Sequence, residues 1–541
     1  ELGFGTGLNI LALIELWLRA APAKAHLSIF SVEAFPLEGA DAARALAAWP
    51  DLAEIASLLL ARWPGRRRGF HRLDFPQWRV TLDLAVMEAA DALRDWSGPA
   101  DAWFLDGFSP ALNPRMWRRE VLDLIAARSA LGARLATFTV AGEVRRGLAD
   151  AGFAVERAPG FGAKRQRLEG RWPGVAVAPE RVPRLAIIGG GIAGASLARA
   201  FNALGGASQV FDAAAPAASA APAALVTPRL DAGLGAPAAL FANAFARARD
   251  LYRSQAGAVL ASGVLQLAVG PKDQGRFAVI AGSDLFEPGE VRLADAAETT
   301  RRLGEPAPSA LAIDSGLVVR PARLLAAWRG KPRRATVSEL VHDSGAWRLV
   351  GAGGETLAEA EVVCVACGMA AAKLVPGLPL LPVRGQASFV PGAQVLAAAL
   401  FGGYVAPAPG GAIYGATHDR DDESLEPREA DHRRNLAVLA GALPRLAARL
   451  ASRPAEAHVG VRATTADYLP IAGAAPHSPP GLFVLTGLGS RGYALAPLLA
   501  EHVAAIALGA PSPLPRSQAA LVDPARFARR AGRKGRQPLA R

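Results

Sequence analysis

Two glycine loops carry the most chemically pointed spacing in the chain. The first reads ELGFGTGLNI from Glu1 to Ile10, with Gly3, Gly5 and Gly7 running into a helix-like apolar stretch near Leu8. Glycines at this spacing let a backbone turn tightly and approach a ligand closely. The free N–H groups and positive dipole end of the following helix favour electron-rich ligand groups. Many strand-to-helix turns are rich in glycine, so the loop alone is a weak signal. Glu33 closes the next strand-like run, where an acidic side chain can accept both hydroxyls of a ribose. A solvated strand end is the plainer reading of Glu33, and the residues leave both open.

The second loop, LAIIGGGIAGASLARA, is a G-x-G-x-x-G made by Gly189, Gly191 and Gly194. Ala195 and Ala198 keep its helix close to the sheet, and the next strand ends in Asp212. The combination predicts a cofactor with an ADP moiety, its pyrophosphate on the helix N-terminus and its ribose on the carboxylate. It does not separate FAD from NAD. A third stretch, DAWFLDGFSPALNPRMW from Asp101 to Trp117, ends an apolar strand at Asp106 and continues into a stiff loop with Gly107 and two prolines. Doubly wound sheets hold their sites at such carboxyl edges. A carboxylate there can orient, or take a proton from, an amine about to be alkylated. An N-cap or turn aspartate is the alternative, which the unusual loop disfavours.

These residues need a scaffold. The first part of the chain alternates helical and strand-like segments, which predicts a doubly wound α/β sheet. The segment RWPGVAVAPERVP reads as a linker. The expected division is a first domain over 1–172, a linker over 173–183 and a second domain over 184–541. The second part opens with the same β-α-β pattern and then turns strand-rich and irregular. That predicts a Rossmann-like nucleotide-binding domain carrying an inserted α+β substrate domain.

With 541 residues the chain is too long for one ordinary domain. Its net charge of +12 favours an acidic partner such as nucleic acid, or reflects an arginine-rich genome. Only two cysteines occur, Cys364 and Cys367, in a strand-like run where side chains three apart face opposite ways. They are expected to be structural, no metal site is expected, and so few cysteines fit a reducing, cytoplasmic compartment. No apolar run approaches the length of a membrane span.

The stretches ELGFGTGLN, SVEAFPL, DAWFLDGFSPALNPRMW and TFTVAGEVRRGLADAGFAVERAPGFGAKR resemble the methyltransferase half of the bacterial bifunctional enzymes that finish 5-methylaminomethyl-2-thiouridine at the tRNA wobble position. The resemblance implies that Gly3, Gly5 and Gly7 line S-adenosylmethionine, Glu33 holds its ribose and Asp106 faces the reacting amine. Met87-Glu88 stands where that family has Gly-Asp near the adenine, so Glu88 is expected to substitute. The family also has residues before the glycine loop, so a shortened first domain is expected.

Farther on, LPVRGQAS, GATHDRDD, GVRATTADYLPIAG and GLFVLTGLGSRGYALAPLLAE resemble flavoproteins of the D-amino-acid-oxidase type, most closely the oxidase half of the same enzymes. This selects FAD for the second loop. The implied reaction removes the carboxymethyl group of 5-carboxymethylaminomethyl-uridine as glyoxylate, by hydride transfer from the N–CH₂ carbon and hydrolysis of the imine. The first domain then methylates the amine. Arg462 and Arg491 are the expected carboxylate-gripping cations, because a guanidinium matches a carboxylate fork. Gly489, Ser490 and Gly492 are placed along the flavin, and Arg384 to Gln386 near its ring. Tyr404 and His418 are read as packing and loop residues.

The Ala/Pro-rich segment after Asp212 departs from the family, although Ser219 survives. The implied partner is the anticodon stem-loop of tRNA, bound through Gly65 to Arg72 and the basic tail 526–541, with Trp103, Phe108 and Trp117 walling the methyl-transfer pocket. A monomer is expected. Two other readings stay open: an amine oxidase acting on free glycine-like amino acids with an inactive first domain, and a non-catalytic tRNA-binding protein.

Overall fold

The computed structural model describes residues 1–22, 25–162, 164–175, 181–214 and 217–534. It divides into two compact units. Unit 1 is Glu1–Val182 with Ala203–Gly205 and Leu508–Ser517; unit 2 is Pro183–Asn202, Gly206–Ala507 and Gln518–Arg541.

Unit 1 is built on β1 (Leu27–Val32), β2 (Gly69–Phe75), β3 (Val80–Val86), β4 (Ala100–Leu105), β5 (Ser129–Thr137), β6 (Ala154–Pro159) and β7 (Gln166–Arg171). The strand orders are β1-β3-β2 and β4-β5-β7-β6. Leu2 joins the two sets, bridging in parallel to Val32 on one side and to Leu105 on the other. The first glycine loop therefore leaves the centre of the sheet, with Glu33 and Asp106 at the flanking strand ends.

β3 is VTLDLAV and is buried along its whole length. A strand covered on both faces reads as a nearly continuous apolar run. Its Asp83 forms a buried ion pair with Arg72, N to O 2.6 Å. Helix α1 (Leu8–Ala20) starts at Gly7 and buries Ile10, Leu11 and Ile14. They pack with Phe4, Leu59 and Leu84. Burial of such side chains contributes roughly 1.5–3 kcal/mol each, which fixes the helix N-terminus at the loop.

Unit 2 contains a six-stranded sheet that includes β8 (Leu185–Ile188) and β9 (Ser208–Asp212), which pair in parallel. β8 also pairs in parallel with Val362–Val365, which pairs with Leu482–Thr486. Segments separated by almost 300 residues of sequence thus complete one nucleotide-binding sheet. A larger sheet includes Ala310–Val319, Val259–Leu267, Tyr404–Ala408, Gly411–Gly415 and Leu381–Pro391, the last pairing with Glu456–Thr464. This is the inserted domain.

Cys364 lies in the buried strand, but the strand stops at Val365 and Cys367 precedes a short turn at Gly368–Ala370. Burial pushes the Cys364 thiol far up and the Cys367 thiol up to about 11, so neither is a ready thiolate. The tail corrects another expectation. Arg526 opens the helix Arg526–Lys534 and is buried, its guanidinium on Asp467 at 3.0 Å, so it is a core residue and not part of an RNA-binding arm. Residues 535–541 lie outside the described residues, as do 176–180 of the linker.

Candidate active sites

In unit 1, Gly3, Gly5 and Gly7 have φ of +91°, +51° and +77°. That left-handed backbone favours glycine. At Gly3 there is a second reason: a Cβ would sit 3.0 Å from the Asp106 carbonyl oxygen and the Gly107 Cα. The loop thus touches the backbone of the residue that follows β4. The Gly5 N–H donates to Glu33 Oε2 at 3.2 Å, and the Phe35 N–H donates to Oε1 at 3.0 Å. Glu33 is thereby fastened to the glycine loop itself. Glu88 follows β3, the neighbour of β1, and lies 3.8 Å from Arg115 in a solvated pair.

Asp106 is held at both oxygens. Asn9 Nδ2 donates to Oδ2 at 2.8 Å, and the Gly107 N–H donates to Oδ1 at 2.8 Å. The same Asn9 amide donates to Glu1 Oε1 at 3.1 Å, and Ser31 Oγ donates to Glu1 Oε2 at 2.7 Å. Burial pushes the Glu1 carboxyl up. Sequence reasoning missed Asn9; its signal was a polar amide in the first turn after a glycine loop.

The aromatic walls need correction. Trp103 is 3 % exposed, stacks edge-on to Trp96 and donates Nε1–H to Ser129 Oγ at 2.9 Å, so it belongs to the core. Trp117 is also buried, and its Nε1–H donates to the Phe108 carbonyl at 3.0 Å, bracing the loop. Phe108 itself is 71 % exposed and is the aromatic that faces solvent.

In unit 2, Gly189 has φ +110°, and a Cβ there would come within 2.8 Å of Ala366 and Cys367 backbone atoms. A Cβ on Gly194 would collide with the Gly189 carbonyl, so glycine permits the close approach of helix to strand. Beside Gly191, the Ile192 N–H donates to Ser219 Oγ at 3.1 Å. The Ala/Pro-rich segment therefore still presents its serine to the helix N-terminus. Asp212 accepts from Arg329 Nη1 at 2.8 Å. Gly489 has φ +55° and starts a single turn ending at Arg491, with Ser490 exposed. Gly492 opens the next helix, and a Cβ there would lie 3.3 Å from Ile192. Gly492 thus adjoins the dinucleotide loop.

Arg462 and Arg491 are distinguished by their partners. Arg462 lies on Glu456–Thr464 and donates to the Thr417 carbonyl at 3.3 Å. Gly385 makes room for it, since a Cβ there would overlap the guanidinium. Arg491 donates to Thr227 Oγ1 at 3.0 Å and to the Thr227 carbonyl at 3.3 Å. Among the described residues no carboxylate lies within ion-pair distance of either. Burial lowers both guanidinium pKa values, that of Arg491 to about 10 with Arg229 adding repulsion. Arg247 and Arg384, by contrast, are buried against Glu501 and Asp431. A buried cation without a carboxylate is costly alone and gains most from an incoming anion.

Arg384 is therefore committed elsewhere: it also donates to the Ser424 carbonyl at 2.9 Å and the Glu426 carbonyl at 2.6 Å, inside a closed network with Gln386. Tyr404 is half-buried near Arg462, and desolvation pushes its phenol up to about 12 while Arg462 opposes the rise. Burial, with Arg462 second, lowers the His418 pKa.

The residues present fit both cofactors: three left-handed glycines beside a fastened acid for S-adenosylmethionine, and a close-packed G-x-G-x-x-G with a terminal aspartate for FAD. Fold and sites define a two-domain enzyme, a nucleotide-type methyltransferase joined to a flavoprotein oxidoreductase. Residues 50–173 match the family of S-adenosyl-L-methionine-dependent methyltransferases, and residues 184–506 match the FAD dependent oxidoreductases.

The chain is 57 % identical to the tRNA 5-methylaminomethyl-2-thiouridine biosynthesis bifunctional protein of Caulobacter sp. (strain K31), over 98 % of this chain and 89 % of that one. The Maricaulis maris protein of the same name is 39 % identical over 100 % of this chain and 89 % of its own. The chain belongs to this family of bifunctional proteins, with S-adenosylmethionine and FAD as cofactors. Among solved structures, iminodiacetate oxidase from Chelativorans sp. BNC1 superposes with a TM-score of 0.53 at 24 % identity, covering 63 % of this chain and all of that one. Glycine oxidase from Geobacillus kaustophilus gives 0.50 at 24 %, covering 61 % and 95 %. These two share the fold. Among the described residues no helix is long and apolar enough to cross a membrane, and no cluster of three or more His, Cys, Asp or Glu is arranged for a metal.

Proposed function

We propose that the chain modifies the wobble uridine of tRNA in two steps, and that named residues of each unit divide the work. The substrate enters as 5-carboxymethylaminomethyl-(2-thio)uridine. Arg462 and Arg491 hold its carboxylate, which supplies the ion-pair partner that neither guanidinium has among the described residues. FAD, when bound, would supply the hydride acceptor for oxidation of the N–CH₂ carbon to the imine. Hydrolysis releases glyoxylate and leaves the aminomethyl group. Gly489, Ser490 and Gly492 give the backbone a close approach to the isoalloxazine.

In unit 1, S-adenosylmethionine supplies the methyl group. Gly3, Gly5 and Gly7 line it, Glu33 accepts its ribose hydroxyls, and Glu88 sits toward the adenine. Asp106, fixed by Asn9 and Gly107, orients the amine and accepts its proton. The domains run over 1–172 and 184–541, joined by a linker at 173–183. The protein acts as a cytoplasmic monomer on the anticodon stem-loop.

The observation that carries this reading is that both constellations, glycine loop with strand-end acid, are intact in one chain that matches the bifunctional relatives over 98 % of its length. The experiment is mass analysis of nucleosides from undermodified tRNA after incubation with two variants. At initial rates Asp106→Ala should accumulate the aminomethyl product, and Arg462→Met should slow loss of the carboxymethyl group about 10-fold or more. Methylation by Asp106→Ala, or release of the carboxymethyl group by Arg462→Met, at the wild-type rate would remove the corresponding assignment.

A further inference from the structure

Arg329 ends the helix Pro321–Arg329 and reaches back to the dinucleotide loop. One nitrogen, Nη1, donates to both the Gly190 carbonyl at 2.6 Å and Asp212 Oδ2 at 2.8 Å. Its side chain is 26 % exposed, so the pair borders the site. Arg329 Nε is buried with no hydrogen-bond partner. The loop is shaped around this arrangement: a Cβ on Gly190 would run into both Arg329 Nη1 and Asp212 Oδ2. Gly190 does not have a left-handed φ, so close packing, and not backbone conformation, accounts for its glycine. Trp328, the preceding residue, is stacked on Tyr252 with centroids 5.3 Å apart, which anchors the helix end.

We propose that Arg329 is a positioning residue for the adenosine end of the flavin cofactor. It ties the glycine loop to the ribose-binding strand end and turns Asp212 so that Oδ1 is presented to the ribose 2′-hydroxyl. A single charged nitrogen fixing a loop carbonyl and a carboxylate sets the distance between pyrophosphate-binding and ribose-binding groups. This rests on the assignment of FAD to unit 2.

The test uses the full chain, stripped of flavin and retitrated, with binding read by quenching of flavin fluorescence. The probes are FAD and its 2′-deoxyadenosine analogue. In the wild type the analogue should bind about tenfold more weakly, a loss typical of one hydrogen bond to a charged group. Arg329→Met should weaken FAD at least tenfold and reduce the discrimination between the two probes to less than threefold. Arg329→Lys should restore part of both, because an ammonium can still reach an oxygen pair. A merely structural role would lower affinity for the two probes equally and leave their ratio unchanged, and that result overturns the proposal. So does FAD affinity within twofold of wild type in Arg329→Met. A wild-type chain that takes up no FAD would remove the flavin assignment together with the proposal. Normal uptake with an unchanged ratio removes the proposal alone.

Discussion

The two glycine loops meet the same requirement with different fasteners. In unit 1 the strand-end acid, Glu33, is held by the loop's own Gly5 N–H. In unit 2 the strand-end acid, Asp212, is held by a guanidinium 117 residues farther along the chain. The first solution is local and neutral on the donor side. The second is long-range and charged. A local fastener is written in the motif, whereas a distant one depends on how the inserted domain returns to the sheet.

The largest expected effect separates the units by chemistry. Asp106→Asn should lower methyl transfer about 100-fold or more, the range for loss of an acid–base group. Glyoxylate release in the same preparation should be unchanged. Equal loss of both activities would mean that Asp106 supports folding and not transfer. Arg462→Met comes next. Losing a charge-assisted hydrogen bond costs roughly 1.5–3 kcal/mol, or about 10- to 150-fold in kcat/KM for the oxidation. The effect should fall mainly on KM, because the carboxylate is bound before and during reaction.

Two glycine replacements test the loops against each other. Gly194→Ala should weaken FAD by the roughly 1–3 kcal/mol of an overpacked contact, while methyl transfer to an aminomethyl substrate persists. Gly3→Ala should do the reverse, since left-handed backbone for a residue with a Cβ costs roughly 1–3 kcal/mol. Each change is read by cofactor titration, and cross-effects on the other cofactor would break the comparison.

The smallest effect is on pH. Burial lowers His26 in unit 1 and His502 in unit 2 from an ordinary value of 6.5 to about 4. Below 6.5 the unfolded chain binds protons that the folded chain refuses, so stability present above 6.5 is lost as pH falls toward 4. Melting temperature should drop by roughly a few degrees across that window, and His502→Gln should flatten the unit 2 component.

Much of this was legible because it was local. Gly3, Gly5, Gly7, Gly189 and Gly191 lie in the strand-to-helix loops their spacing predicts, with Gly194 in the first turn of the helix that follows. Asp106 falls immediately after its strand, which ends one residue short of the end its apolar run predicts. β6 and β7 gave no such signal. AVERAP is mostly exposed, and QRLEGR buries only Leu168 and Gly170, too sparse an apolar pattern to announce a strand, so it is the pairing of β6 with β7 and of β7 with β5 that defines them. Trp103 was misplaced because an aromatic beside a site in sequence points into the core when its strand position does. Arg384 and Arg462 look alike in an arginine-rich chain. What separates them is Asp431, which the fold brings to the first and not to the second. Asn9 and Arg329 act through partners that no spacing rule connects.

The most direct measurement is nucleoside mass analysis of tRNA bearing 5-carboxymethylaminomethyl-uridine after incubation with the wild-type chain, with and without S-adenosylmethionine. The account predicts aminomethyl-uridine alone without the methyl donor, and methylaminomethyl-uridine when it is added. Unchanged carboxymethylaminomethyl-uridine in both reactions, from protein loaded with flavin, would contradict it.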